Sequence, residues 1–143
     1  LDPAHLEMEL TESMVMHNPE QAIKALTAVK KMGVGIAIDD FGVGYSSLAQ
    51  IKRFPIDTLK VDCSFIRDLA ENTENQAMTE ADIAMGRSVS PSVVGEGVET
   101  QEQQAFLSNR ACDAMQGFYF SKPVPQDEFA SFMRQHLART AVE

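Results

Sequence analysis

The sequence predicts an α/β fold built on a parallel sheet, either a small open sheet or part of a barrel, and three observations lead there. Five short strand-like segments alternate with helices or a helix-containing loop. One of them, Val34 to Ile38, is almost uniformly apolar, as burial on both faces of a parallel sheet requires. No hairpin signal such as Asn-Gly joins any two of them, so the connections are crossovers. The 143 residues, 44% of them apolar, suffice for one core. A complete eight-fold barrel takes about 250 residues, so under the barrel reading only its later portion is present.

Each element has its own signal. Leu6-Glu7-Met8-Glu9-Leu10 alternates like a strand, with the glutamates on one side. Asn18-Pro19-Glu20-Gln21 reads as an N-cap, a proline in the first turn and a capping glutamine, and Ala22, Ile23, Leu26 and Val29 form the stripe of the helix that Gly33 stops. The strand Val34 to Ile38 leads into the glycine-bearing stretch Asp39 to Ser47 and a short helix ending before Pro55. Thr58 to Asp62 is the next strand. Asn75 to Arg87 reads as a helix with Ala77, Met78, Ala81, Ala84, Met85 and Ser88 on one face, Asp82 on its flank and Ile83 on the far side. Val93 to Val98 is a strand, Thr100-Gln101-Glu102-Gln103 caps a helix carrying Phe106 and Leu107, and Gly117 to Phe120 is the last strand. A closing helix carries Phe129, Phe132, Met133 and Leu137 on one stripe.

Charge narrows the function classes. A net charge of −9, from 21 acidic and 12 basic residues, leaves no basic stripe for DNA or RNA and disfavours an anionic membrane surface. An acidic protein still takes a phosphate substrate if its carboxylates first recruit divalent cations. Cys63 and Cys112 form neither a disulfide framework nor a zinc pattern, which suits a reducing compartment. These residues contain no apolar run of about 18, and Leu1 opens no leader. The opening Leu1-Asp2-Pro3 leads within a few residues into a strand, as in a fragment or a processed chain.

Polar residues gather at strand ends: Glu9, Asp39, Asp40, Lys60, Asp62, Glu96, Glu99 and Gln116. In parallel α/β architectures those ends surround the ligand crevice. One such carboxylate alone reads as a cap or a surface partner; several together repel unless cations join them, and oxygen donors favour Mg²⁺ or Mn²⁺ over zinc. Asp39 and Asp40 can each serve a different ion, and two ions about 4 Å apart clamp the attacking and leaving oxygens of a phosphodiester displacement. The stretch Phe41, Gly42, Val43, Gly44, Tyr45, Ser46, Ser47 permits a tight path above them but lacks the ending of a P-loop. Lys60 is either an internal salt bridge to Asp62 or a cation that orients water or neutralises phosphate. His5, His17 and His136 lie outside this cluster and form no metal-spaced pair.

Five ordered motifs resemble those of bacterial EAL domains over nearly the whole chain. Glu9-Leu10-Thr11-Glu12-Ser13 resembles ELTES, Ile38 to Ser47 resembles IDDFGxGYSS, and Lys60-Val61-Asp62 resembles KID. Gly95 to Thr100 is similar to AEGVET, and Cys112 to Phe118 to the CDxxQGY segment. The resemblance implies a partial TIM-type (β/α) barrel, the C-terminal portion of a domain that cleaves cyclic di-GMP to linear pGpG with two Mg²⁺ or Mn²⁺ ions. It implies Glu9, Asp39, Asp40 and Glu96 as metal ligands, with Lys60 and Glu96 in the catalytic roles of water or phosphate contact and general base. Asp62, Glu99 and Gln116 support the site, and Glu12 holds the loop. The family's signature glutamate and the asparagine of its next strand are expected upstream of Leu1. Without them the isolated segment is expected to be inactive, and the competing expectation is a catalytically inert sensor or interaction module.

The same resemblance implies a cytoplasmic domain, preceded by a regulatory or GGDEF-type domain or a membrane attachment. An open partial barrel is also expected either to be accompanied by further residues or to pair through its apolar edge as a homodimer. Within the chain Val43 stands for a commoner threonine and Gly95 for a commoner alanine. Asp82 occupies a usually apolar helix position, and Ser90-Pro91-Ser92 a Gly-Leu-like turn.

Overall fold

A computed structural model describes the chain apart from residues 44–46, 68, 70, 71 and 141–143 and the side chains of residues 137–140. A 3₁₀ turn (Pro3–His5) leads into β1 (Glu7–Thr11), α1 (Glu12–His17), α2 (Pro19–Lys31), β2 (Gly35–Phe41) and α3 (Leu48–Ile51). Then come β3 (Thr58–Val61), α4 (Cys63–Arg67), α5 (Thr73–Val89), β4 (Ser92–Gly95), α6 (Gln101–Asn109), β5 (Ala114–Met115) and α7 (Gln126–Thr140). The strands make one parallel sheet in sequence order, with β1 and β5 at its edges. The α/β class and the all-parallel sheet agree with the sequence, and the arrangement resembles the wall of a TIM-type barrel.

Register explains how this sheet positions a site. Glu9 lies beside Ala37, Ala37 beside Thr58, and Lys60 beside Val94, so Glu7, Glu9, Ala37, Thr58, Lys60 and Val94 share one face. The other face carries Ile36, Ile38, Leu59, Val61 and Val93, all fully buried beneath the helices. Two clusters make the core. Val15 and Leu26 of α1 and α2 pack with Ile36, Ile38, Ile51, Phe54 and Leu59. Ile66, Ile83 and Leu107 of α4, α5 and α6 pack with Val61, Val93 and Val98. Each such aliphatic side chain contributes about 1.5–3 kcal/mol of burial, which is what fastens the helices to the sheet.

Local signals act as the sequence predicts in several places. Asn18 accepts from the Gln21 amide at 3.3 Å and donates to its side chain at 3.1 Å, opening α2 with Pro19 in the first turn. Gly33 ends it at φ 88°, a conformation that costs glycine nothing. Thr100 and Gln103 make a reciprocal capping box on α6.

Four expectations need correction. β2 does not stop at Ile38 but runs through Asp39 and Asp40 to Phe41, because Asp39 pairs with Thr11 of β1 and Phe41 with Val61 of β3. The helix at residues 73–89 buries Thr79, Asp82, Ile83 and Gly86, whereas Met78 and Met85 are exposed, so the face read from hydrophobicity points outward. Gly86 sets this phase: a Cβ there would lie 2.9 Å from Val93 Cγ2. The last strand is Ala114–Met115, and Gly117 to Phe120 forms turns instead. It ends there because Val98 takes the next bonds, donating to the Gln116 carbonyl at 3.0 Å and accepting from the Tyr119 amide at 2.9 Å. Finally, β4 stops at Gly95, and the Glu96 amide turns to the Val61 carbonyl at 3.2 Å. The closing helix exists, but Phe129 is exposed on it while Phe132 and Met133 are half-buried; the Leu137 side chain lies outside the described residues. α1 and α4 are additional short helices beyond those expected from the sequence.

Ser90-Pro91-Ser92 does not disturb the packing. The Ser90 hydroxyl lies 3.0 Å from the carbonyl oxygens of both Asp57 and Ser92, and its amide closes α5 on Gly86 at 2.8 Å. No helix among the described residues is long and apolar enough to cross a membrane.

Candidate active site

The site forms at the C-terminal ends of β1 to β4, where one irregularity does most of the arranging. Between the pairs Ile38–Leu59 and Phe41–Val61, β2 has two residues, Asp39 and Asp40, where β3 has only Lys60. This is a β-bulge, and it breaks the alternation that would otherwise turn neighbouring side chains to opposite faces. Asp40 takes φ 57°, a left-handed conformation that aspartate tolerates better than most residues. Asp39 steadies the step by accepting the Asp40 amide on its own carboxylate at 2.9 Å.

Lys60 is the centre of the cluster. Its side chain is only 6% exposed, and its ammonium lies 2.7 Å from Glu96 Oε1, 3.0 Å from Glu9 Oε2 and 4.0 Å from Asp39 Oδ1. Burial opposes its charge, but hydrogen bonds to Glu96 and Glu9 and the nearby carboxylates outweigh it and raise the ammonium above its ordinary range. By sequence Lys60 is either a partner for Asp62 or a free catalytic cation. Its partners in the structure are not Asp62 but Glu9 of β1 and Glu96 just past the end of β4.

The carboxylates differ in proton affinity for identifiable reasons. Burial raises the Glu96 carboxyl, and its hydrogen bond with Asp39 adds to this despite Lys60. Asp40 is also raised, by burial first and then by Asp39 and Asp62. Asp62 goes the other way: burial works against it, but the Ser64 hydroxyl and amide donate to its Oδ1, the amide at 2.9 Å, and hold it below the usual carboxylate range. Sequence reasoning missed Ser64; the spacing Asp-x-Ser at a helix start is the signal that finds it.

The remaining candidates lie around this centre. Glu99 is exposed, and its amide donates to Gln103 Oε1 at 2.7 Å. With Glu96, Gln116, Gly117, Phe118 and Cys63 it lines a cleft of about 290 Å³ beside the cluster. Glu12 opens α1 and is buried, 3% exposed. Phe41 is buried, Gly42 takes φ 96°, and Ser47 caps α3 by accepting the Gln50 amide at 3.3 Å. Gly44, Tyr45 and Ser46 lie outside the described residues. Asp82, by sequence only an irregularity of helix packing, is buried near Glu12 and Gly42.

In donor chemistry the set suits a hard divalent ion, because Glu9, Asp39, Asp40 and Glu96 offer carboxylate oxygens. Lys60 marks the point on which three of them converge. Among the described residues no three such side chains are already arranged as a cage for an ion. A cation entering there must draw them off the ammonium.

Comparison with known proteins agrees with this picture. The EAL domain model matches residues 1–123. The signaling protein YkoW of Bacillus subtilis is 45% identical over 133 residues, 93% of this chain and 17% of that protein. The bifunctional diguanylate cyclase/cyclic di-GMP phosphodiesterase MucR of Pseudomonas aeruginosa is 44% identical over 128 residues, 90% of this chain and 19% of that one. This chain therefore spans about a fifth of the length of these relatives. The solved PaMucR phosphodiesterase in complex with c-di-GMP superposes with a TM-score of 0.86 at 43% identity, over 90% of this chain and 52% of that chain. The manganese/c-di-GMP complex of Klebsiella pneumoniae BlrP1 gives 0.77 at 37% identity, over 86% of this chain and 31% of that chain. With its five-strand parallel wall, the carboxylate cluster on Lys60 and a family match over most of its length, the chain belongs to the EAL domain family.

Proposed function

We propose that this chain is the C-terminal portion of a TIM-type barrel that hydrolyses cyclic di-GMP to linear pGpG with two Mg²⁺ or Mn²⁺ ions, in bacterial second-messenger signalling. The observation that carries the reading is the convergence of Glu9, Asp39 and Glu96 on Lys60 at the ends of neighbouring parallel strands. Relatives named as cyclic di-GMP phosphodiesterases, and a manganese complex among the superposed structures, support it.

Glu9, Asp39, Asp40 and Glu96 would hold the ions, aided by a glutamate and an asparagine supplied by preceding residues. Bound there, such ions would supply Lewis-acid polarisation of the phosphoryl oxygen and acidify water. The chain's own part is positional and electrostatic. Lys60, kept cationic by its carboxylates, balances charge that develops on phosphate or orients the water. Glu96, whose affinity for a proton burial raises, takes the proton from that water at its carboxylate. Asp62, held anionic by Ser64, fixes Asp40 by a hydrogen bond. Glu12 supports the segment after Asp40, and Glu99 and Gln116 border the cleft into which the dinucleotide extends. The domain operates in the cytoplasm behind a regulatory or GGDEF-type domain, and pairs as a homodimer where the edge of the partial barrel is left uncovered.

The test is nucleotide analysis of the longer protein containing this chain, with and without Mg²⁺ or Mn²⁺. Linear pGpG formed only with metal is the expected result. Binding of cyclic di-GMP without metal-dependent cleavage by a folded protein overturns it in favour of an inert sensor or interaction module.

A further inference from the structure

α5 brings a carboxylate to a place where helix packing calls for an apolar side chain. Asp82 is 7% exposed on the buried face with Thr79, Ile83 and Gly86. Above it lies Gly42, the first residue after the bulged strand: a Cβ on Gly42 would sit 2.9 Å from Asp82 Oδ2, 3.3 Å from its Cγ and 3.0 Å from Phe65 Cε2. Gly42 thus rests directly on the acid, in a turn closed by the Val43 amide donating to the Asp40 carbonyl at 3.4 Å. The turn and the Asp39-Asp40 pair are one short, continuous piece of backbone.

Glu12 of α1 faces the same spot and is more deeply buried still. Two carboxylates therefore meet under the turn. Among the described residues, the other elements packed on α5 bring the following titratable groups. β3 brings Lys60, which is committed to Glu9 and Glu96, and α4 brings Cys63 and the exposed Arg67. α3 and β4 carry no titratable residue, α1 otherwise carries only the exposed His17, and the turn itself carries Asp39 and Asp40.

We propose that Asp82 is a positioning residue for the phosphodiesterase site assigned above: uncharged, it lets Gly42 seat on α5 and hold Asp39 and Asp40, and ionised beside Glu12 it unseats that turn. The proposal rests on the functional reading only for its consequence on turnover; the movement itself is a property of the fold. Burial, and Glu12 after it, push the Asp82 carboxyl up to about 6, so the change falls between mildly acidic and neutral pH. Asp82 touches no substrate in this scheme and acts through the turn.

The experiment uses the longer protein containing this chain, metal-free, as wild type, Asp82→Asn and Asp82→Ile. Amide hydrogen exchange at residues 40–43, corrected for the intrinsic effect of pH, is followed from pH 5 to 7.5. Wild type is expected to lose about tenfold or more of its protection across that range, as a local opening does, while both variants stay protected throughout. An equal loss in Asp82→Asn, or constant protection in wild type, overturns the proposal. Should neither variant fold, carboxyl-carbon NMR of wild type decides: Asp82 must titrate near pH 6 with the Gly42 amide following it, and a midpoint near 4 or an unresponsive Gly42 overturns it. Turnover of cyclic di-GMP by wild type, measured alongside, tests the functional reading separately, since neither exchange nor NMR requires it.

Discussion

Replacing Lys60 by methionine removes a charge while nearly preserving length, and the geometry around the ammonium sets the consequences. Glu96 at 2.7 Å and Glu9 at 3.0 Å lose their shared cation, and Asp39 at 4.0 Å loses a neighbour. Removing one member of a fully buried ion pair costs about 3–5 kcal/mol because the other charge is left without a partner. Here Lys60 is buried but Glu9 is half-exposed, and solvent screens part of the repulsion, so about 2 kcal/mol is the better figure. That corresponds to a fall of about 4–8 °C in the melting midpoint of the metal-free protein. Because the Lys60 pKa is raised on folding, this contribution is fully present below the unfolded value of about 10.4 and fades only as pH climbs through the higher folded value.

Mn²⁺ provides the discriminating measurement. In wild type an entering ion must compete with an ammonium for Glu9, Asp39 and Glu96; in Lys60→Met it meets unbalanced carboxylates instead. The metal-induced rise in midpoint is therefore expected to be larger in the variant than in wild type, while cleavage of cyclic di-GMP falls by about a hundredfold or more, or about 2.7 kcal/mol of barrier. Scanning calorimetry with and without Mn²⁺ reads the first effect and nucleotide analysis the second. An unchanged metal-free midpoint with an unchanged response to Mn²⁺ would refute the view that Lys60 organises these carboxylates.

Further substitutions, made like Lys60→Met in the longer protein containing this chain, probe the supports. Asp39→Asn and Asp40→Asn are each expected to lower metal-dependent turnover by about a hundredfold or more with little loss of stability, since size is unchanged and like charges are removed; near-wild-type turnover at limiting metal in both would make the pair structural. Gly117→Ala would place a Cβ 2.0 Å from the Val98 carbonyl oxygen and 2.3 Å from its nitrogen, so urea denaturation should show a loss of about 3 kcal/mol or more, or no folding. Asp57→Ala leaves the Ile36 amide, which donates to Asp57 Oδ2 at 2.9 Å, without its acceptor and frees Lys30, costing about 1–3 kcal/mol in the same assay. Asp82 is raised from 3.8 to about 6 on folding, so wild-type stability should decline by up to about 3 kcal/mol as pH rises from about 4 through 6; Asp82→Ile should abolish that slope in denaturation curves taken across the range.

The features legible in the sequence are those that neighbouring residues decide. Asn18, Pro19 and Gln21 open α2 whatever lies around them, and Thr100 with Gln103 opens α6. The apolar run before Asp39 requires a buried strand, and the acids at the strand ends require a ligand or a cation because no local partner neutralises them. Features decided across the sheet were not legible. The extension of β2 through Asp40 depends on two residues meeting one on β3, which no pattern within β2 encodes.

Phase on α5 shows the same limit from the opposite direction. Summed hydrophobicity favours the face with Met78 and Met85, yet close approach to Val93 demands a residue without a side chain, and Gly86 is the one available. Once Gly86 faces the sheet, Asp82 and Ile83, one turn earlier, must face inward with it, since residues three and four apart share a helix face. The buried acid is thus a consequence of the glycine's packing. Its chemistry has the same origin: Asp82 meets Glu12 and Gly42 because β4 holds α5 at the distance that Gly86 permits. A larger residue at 86 should lift Asp82 away from Gly42 and lower its proton affinity toward that of a solvated carboxylate, a change that carboxyl-carbon NMR would record.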